Sequence, residues 1–369
     1  MKLTLPTTEL LTQLQTVTRV ASTRSAVQAL SGVMVLAGDS GAELLATDTE
    51  VGLRVPLQAE IARSGQVLLP ARLLLDVVRA LPAENLSLEL RPAEQDVELL
   101  CGGAIFHLRT LRAEDFPALP SAAEESRMTL PAEAFVQTVE RVARSASHDE
   151  TRPVLTGILI SASDRELRMV ATDSYRLSVK RTTLDAPLEG TIEANVPARA
   201  LQELTRVAQQ YQCTELTLGL GQNQVIFELG GAILSSRLID GQFPNYRQLI
   251  PESADHELTL SAPELTGVVR RISLLAQKNA PLRLAFSEGE LTVSAQTPDV
   301  GEASETVPVP FHGEPFDIGF NPEFLRDGVE SIDTAELVMK LISPLRPGLI
   351  ESPEAGDFVY LVMPIRLNA

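Results

Sequence analysis

Three near-copies of one pattern run through this 369-residue chain, and an internal period of this kind constrains the fold more than any composition can. Residues 2–20 read KLTLPTTELLTQLQTVTRV, residues 127–145 read RMTLPAEAFVQTVERVARS, and residues 257–274 read ELTLSAPELTGVVRRISL. In each, an alternating segment ending in Thr-Leu meets Pro or Ser and then an amphipathic stretch. The anchors Leu5, Leu130 and Leu260 are spaced by 125 and 130 residues. A second signature recurs as VLLPARLLLDVVRAL, ANVPARALQELTRVA and GFNPEFLRDGVESI, with Pro70, Pro197 and Pro322 spaced by 127 and 125 residues. Proline has no amide hydrogen and a φ suited to helix, so each is expected within the first turn of a helix. LLATDTEVGLRV from Leu44 echoes MVATDSYRLSV from Met169, and GGAIFHLRTLRAEDFPALP from Gly102 echoes GGAILSSRLIDGQFPNYRQLIP from Gly230.

The register of these four signatures predicts three domains, 1–121, 122–253 and 254–369. Alternating segments separated by Gly- and Asp-rich turns give strands, and the spacing of Leu10, Leu14 and Val17 gives a helix. Each domain is expected to be α+β, with the order β-α-β-β-β run twice and two helices packed on antiparallel sheets.

Cys101 and Cys213 have no CxxC or His-rich neighbourhood, so neither a disulfide framework nor a zinc site is expected. The start MKLTLPTTELL has no apolar signal core, and no apolar run approaches the roughly 18 residues of a membrane span. A cytoplasmic protein without a membrane partner is the expectation. His107, His148, His256 and His312 share no metal-ligand spacing and sit beside no nucleophile motif, so no catalytic residue, metal or cofactor is predicted. The repeated Ala-Thr-Asp at Asp48 and Asp173 is read as a turn-capping aspartate rather than a catalytic pair. Gly219-Leu220-Gly221 lacks a third glycine and a following helix, so a hairpin turn is expected there rather than a phosphate loop.

A net charge of −18 argues at first against nucleic acid, since phosphate-binding surfaces are usually basic. The six expected helices carry eleven Lys or Arg against nine Asp or Glu, a net of +2 that leaves −20 to the rest of the chain. Arg19, Arg79, Arg141, Arg144, Arg206, Arg270, Arg271 and Lys278 supply much of the positive helical charge, with Arg24 just beyond the first helix. The sixth helix, with Glu323, Asp327 and Glu330, is itself acidic.

VATDSYRL at 170–177, DGQFPNYRQLIP at 240–251 and VMPIRL at 362–367, with the three-fold repeat, make the whole chain resemble the bacterial DNA polymerase III beta subunit family, the sliding clamps. The resemblance implies a head-to-tail homodimeric ring, helices around a central hole and sheets outside. It further implies duplex DNA, encircled without sequence specificity, as a partner. Six helices packed about 9 Å apart leave no room for a duplex, whereas twelve leave a bore of roughly 24 Å, so two chains are needed. Arg24 and Arg152 match family positions near the bore. Phe106 and Leu108 match one side of the dimer contact, and Leu274 and Leu275 the other.

The family's peptide cleft, used by the polymerase III alpha subunit, the clamp loader, other polymerases and repair proteins, maps onto three stretches. These are Leu155 with Thr172, Ser174, Tyr175, Arg176 and Leu177; Pro244, Gln248, Leu249 and Pro347; and Val362, Met363, Pro364, Ile365, Arg366 and Leu367. Ser174 and Tyr175 stand where some members carry Gly and His, and Gln248 where some carry Arg. Arg176 and Arg366 are expected to hold the backbone or polar groups of an extended peptide. A protein-binding scaffold that never touches DNA, and an enzyme with an unrecognised site, are the other readings.

Overall fold

Leu3 and Leu5 are buried between more exposed neighbours, and Met128 with Leu130 and Leu258 with Leu260 repeat the alternation. A period of two puts one face of each segment into a core, so each becomes a strand. The computed structural model describes residues 1–22, 25–120, 127–276, 280–353 and 357–367.

The first repeat comprises β1 (Lys2–Pro6), α1 (Thr7–Val17), β2 (Gly32–Gly38), β3 (Gly41–Thr47), β4 (Val51–Leu57) and the short β5 (Glu60–Arg63). It continues with β6 (Gly65–Pro70), α2 (Ala71–Ala80), β7 (Asn85–Arg91), β8 (Asp96–Cys101) and β9 (Ala104–Arg109). The second runs β10 (Arg127–Pro131), α3 (Ala132–Val142), β11 (Gly157–Ser163), β12 (Glu166–Thr172), β13 (Arg176–Thr183), β14 (Thr191–Pro197), α4 (Ala198–Tyr211), β15 (Glu215–Leu220), β16 (Gln224–Leu229) and β17 (Ala232–Arg237). The third opens with β18 (His256–Ser261), α5 (Ala262–Ser273), β19 (Leu282–Ser287), β20 (Glu290–Thr297) and β21 (Gly301–Pro308). It closes with β22 (Phe316–Phe320), α6 (Pro322–Glu330), β23 (Glu336–Leu341), β24 (Gly348–Glu351), β25 (Phe358–Val362) and β26 (Pro364–Ile365). Apart from β5 and β26 this is the expected order, twice per repeat.

The prolines correct one detail. Pro322 opens α6 behind Asn321, whose side chain accepts from the amides of Glu323 and Phe324. Pro70 and Pro197 instead end β6 and β14, paired with Gly32 and Gly157, one residue before their helices. Pro70 holds φ −57° with ψ 113°, so its ring sets the last extended residue, and its missing amide falls where the ladder stops.

Met1–Glu133 and Arg199–Leu238 form one compact unit; Ala134–Ala198 and Ile239–Ala369 form another. Within the first, an antiparallel sheet ordered β10-β15-β16-β17-β4-β3-β2-β6 joins strands of two repeats through the β17–β4 pairing, where Leu234 faces Leu53. Gly52 permits this joint, since a Cβ there would lie 2.7 Å from Ser235 Oγ. The second unit repeats the design as β14-β11-β12-β13-β25-β24-β23-β18, joined by β13 and β25. Each unit adds a five-stranded sheet, β5-β1-β7-β8-β9 in one and β21-β20-β19-β22-β26 in the other. Leu10, Leu14 and Val17 of α1 and Leu74 and Val78 of α2 are buried, as are Leu265, Val268, Val269 and Ile272 of α5 and Leu325 and Val329 of α6.

Candidate functional site

The Ala-Thr-Asp segments build the same turn twice. Asp173 Oδ1 accepts from the amides of Tyr175 and Arg176, both at 2.9 Å, and Thr172 Oγ1 donates to the Arg176 carbonyl at 2.7 Å. Asp48 Oδ1 does the same for Glu50 and Val51 at 3.1 and 2.9 Å. Both aspartates cap turns, as the sequence suggested. The residue after each, Thr49 or Ser174, sits at φ 80°, a left-handed conformation that glycine adopts without strain. Glycine at either position would relieve that strain. The turn holds Tyr175 outward, 61% exposed and stacked on Phe324 with ring centroids 6.4 Å apart.

Register across β13, β25 and β24 then assembles the remaining wall. Arg176 lies opposite Val362 and Val362 opposite Gly348, which follows Pro347; the Met363 amide donates to the Tyr175 carbonyl at 2.8 Å. One step along, Leu177, Leu361 and Leu349 align and form an apolar cluster with Val170, Val179 and Tyr246, against which Phe243 and Ile250 pack. Burying Tyr246 in the 3-10 turn Tyr246–Leu249 fixes that segment on the sheet and leaves Pro244, Gln248 and Leu249 exposed. Leu155 lies nearly buried in the 3-10 turn Pro153–Thr156, and Arg152 beside it donates to Ser174 Oγ at 2.9 Å. Met363 and Arg366 are exposed, and Pro364, Ile365 and Leu367 half-buried. The result is an apolar floor with a polar, accessible rim, suited to an extended chain with apolar side chains.

Arg176 departs from its expected role. The residue is 6% exposed; its guanidinium donates to Asp173 at 3.1 Å and to Asp327, and lies 4.3 Å over the Phe324 ring. Two carboxylates and a ring draw it inward, so it braces the turn and has little reach to a peptide. Arg366 remains exposed, without an ion pair among the described residues.

The acidic α6 is explained by its partners. Asp327 pairs with Arg176 and Arg144; Glu330 accepts from Arg144 at 2.8 Å and Arg270 at 2.7 Å; Asp333, just beyond, pairs with Arg141 at 2.9 Å. Burial alone would favour the neutral acid at Glu330, yet the two arginines outweigh it and hold the carboxyl below its ordinary range. Arg79 pairs with Asp76, Arg206 with Glu203, and Arg152 with Asp149. Arg271 forks onto Glu305 of β21 at 2.9 and 2.6 Å. Of the helical cations singled out in the sequence, with Arg152, every described one but Arg19 thus has a carboxylate partner, while Arg24 and Lys278 lie outside the described residues. Arg19 and Arg72 are exposed with no ion pair among the described residues. Arg72 escaped the sequence reading, although it opens the same helix as Arg79.

Phe106 is half-buried on the edge strand β9, and Leu108 is core at 5% exposure. Ile105, 62% exposed beside Leu100, was missed; strand alternation in AIFHLR puts it on the opposite face from Phe106. Leu274, at the end of α5, is 84% exposed, and Leu275 is half-buried. Among the described residues there is no cluster of potential metal ligands and no helix long and apolar enough to cross a membrane.

Known proteins align with the chain throughout. Residues 1–120, 129–245 and 247–366 match the N-terminal, central and C-terminal domains of the DNA polymerase III beta subunit. Similar relatives include the beta sliding clamp of Streptomyces coelicolor, 34% identical with 92% of each chain covered. That of Synechococcus elongatus is 33% identical with 100% of each covered. The crystal structure of the Bacillus subtilis DNA polymerase sliding clamp is 26% identical, covers 100% of both chains, and superposes with a TM-score of 0.90.

Proposed function

The chain belongs to the DNA polymerase III beta subunit family, and from that premise we propose how this sliding clamp divides its work among the residues above. A clamp of this family is a processivity factor and not an enzyme. As a ring-shaped homodimer it keeps a polymerase on DNA by topology rather than by chemistry.

In our reading the domains are 1–121, 122–253 and 254–369. Partner peptides enter the cleft built on the β13–β25–β24 sheet end. Leu155, Leu177 and Ile365 form its floor together with Leu361, and Leu367 and Pro347 its sides, whereas Val362, nominated from sequence, packs on the opposite face in the core of the third repeat. Ser174, Tyr175, Pro244, Gln248, Leu249, Met363 and Arg366 form an adaptable rim. Thr172 and Arg176 shape the turn. The same cleft serves the replicative polymerase, the clamp loader and other polymerases and repair proteins in the cytoplasm. Duplex DNA meets the helical cations nominated from sequence, Arg19 among them, with Arg24 and Arg152, and Arg72 is added to these. The observation that carries the cleft is the Met363–Tyr175 backbone bond, which sets two exposed side chains at the end of the strands whose Leu177, Leu361 and Leu349 form one apolar cluster.

Deleting Met363 to Ala369 tests it. A fluorescent peptide rich in Gln, Leu and Phe should bind the full chain at roughly micromolar affinity, about −8 kcal/mol, and the truncated dimer not at all. A folded truncated dimer that binds unchanged would refute the cleft.

A further inference from the structure

The proline signatures place one residue of each repeat at the same point, two positions before Pro70, Pro197 and Pro322: Leu68, Asn195 and Phe320. All three are buried, at 0%, 7% and 1% exposure, so an amide lies where both sister repeats bury hydrocarbon. The first two copies match closely. Leu68 O accepts from the Leu111 amide at 2.8 Å, and Asn195 O from the Ile239 amide at 2.9 Å. Each side chain closes over a glycine: a Cβ at Gly32 would lie 2.7 Å from Leu68 Cδ1, and one at Gly157 would lie 2.1 Å from Asn195 Oδ1.

What differs is the side-chain chemistry. Asn195 Nδ2 donates to the Val154 carbonyl at 2.9 Å, and Val154 belongs to the turn Pro153–Thr156 that carries Leu155. Asn195 Oδ1 is buried without a hydrogen-bond partner among the described residues, an unfavourable state that leucine at this position avoids. Core packing alone therefore favours the leucine of the first repeat. The amide does something leucine cannot: one residue bonds the Leu155 turn through its side chain and, through its carbonyl, the start of the linker that carries Pro244, Gln248 and Leu249.

We propose that Asn195 is a positioning residue of the peptide cleft, fixing the separation of these two walls before a peptide arrives. Preorganised walls spare a ligand the cost of ordering them, so losing the tie weakens binding without unfolding the protein. The inference rests on the cleft reading above.

The test compares the wild type, Asn195→Leu, Leu68→Asn and the Met363–Ala369 deletion in full dimers, by thermal unfolding and by binding of the same fluorescent peptide. Asn195→Leu should keep the wild-type melting temperature or exceed it, yet bind about tenfold more weakly. Leu68→Asn should melt lower and bind normally. Should Asn195→Leu not fold, Asn195→Ala removes the amide without adding volume and carries the same readout. If the deletion abolishes binding while the Asn195 variant binds like wild type, Asn195 is ordinary core and the inference fails alone. If the deletion also binds like wild type, the cleft assignment fails and the inference with it.

Discussion

Glu330 receives Arg144 and Arg270 from two different repeats, at 2.8 and 2.7 Å, with its side chain 15% exposed. Charge-assisted hydrogen bonds at so sheltered a group are worth more than surface pairs. Because the bonds depress the carboxyl's pKa in the folded state, their stabilisation is complete above the unfolded value of about 4.3 and is lost as pH falls through the folded one. Glu330→Gln should therefore cost about 1–2 kcal/mol in urea unfolding at pH 7, and the gap to wild type should close progressively below pH of about 4. A gap that stayed constant across that range would deny the pairing. The substitution also releases Arg270 and leaves Arg144 only its longer contact to Asp327, so short duplex should bind it more tightly than wild type. Residue composition showed only that α6 is acidic; which arginines neutralise it depends on packing between repeats, which no local pattern carries.

The hairpin between β12 and β13 shows what does pass from sequence to structure. Ala-Thr-Asp at both 48 and 173 announces a capped turn, and the order of strands and helices follows from periodicity within each repeat. The sheets' continuation from one repeat into the next was not legible, because β17 with β4 and β13 with β25 are pairings of ordinary alternating strands whose partners lie far away in the chain. Nor was the inward turn of Arg176, since a cation beside a turn reads as exposed until Asp327 and Phe324 are brought to it. The C-terminal VMPIRL, expected as a cleft wall, also closes a sheet edge that the sequence did not announce: Ile365 and Pro364 pair with Gly319 and Phe320. The hairpin yields a prediction. Ser174 at φ 80° is strained for any side chain and more so for a bulky β-branched one, a cost that Thr49 bears at the same φ in the sister turn. Ser174→Val should lower stability by about 1–3 kcal/mol in urea unfolding, with Ser174→Gly within roughly 0.5 kcal/mol of wild type. Equal midpoints for the two variants would contradict the turn geometry.

For the whole molecule, a charge of −18 with helices near neutrality means that affinity for DNA cannot rest on a strong electrostatic grip. Most helical arginines are already matched to carboxylates, so weak, sequence-indifferent contact that fades with salt is expected, each phosphate neutralised adding about −0.9 to the log–log slope. Retention must then come from closure of the ring, and we propose that closure depends on a dimer contact through Phe106, Leu108, Leu274 and Leu275. An 84%-exposed leucine at a helix end gains little where it stands and gains most if a second copy covers it. Burying a leucine contributes roughly 1.5–3 kcal/mol, so truncating Leu274 and Leu275 to alanine should remove about 3–5 kcal/mol from each of the ring's two contacts and weaken the dimer by at least about four orders of magnitude. In light scattering the Leu274→Ala, Leu275→Ala variant should run near the 39.9 kDa of one chain rather than at twice that mass. Closure and peptide binding should then separate: the variant loses its retention on circular duplex but binds the fluorescent peptide as wild type does, because the proposed cleft is built from one chain. A mass that stayed at twice the monomer would place the dimer contact elsewhere, and a monomer still held on circular DNA would mean that contact, not closure, keeps the protein on its duplex.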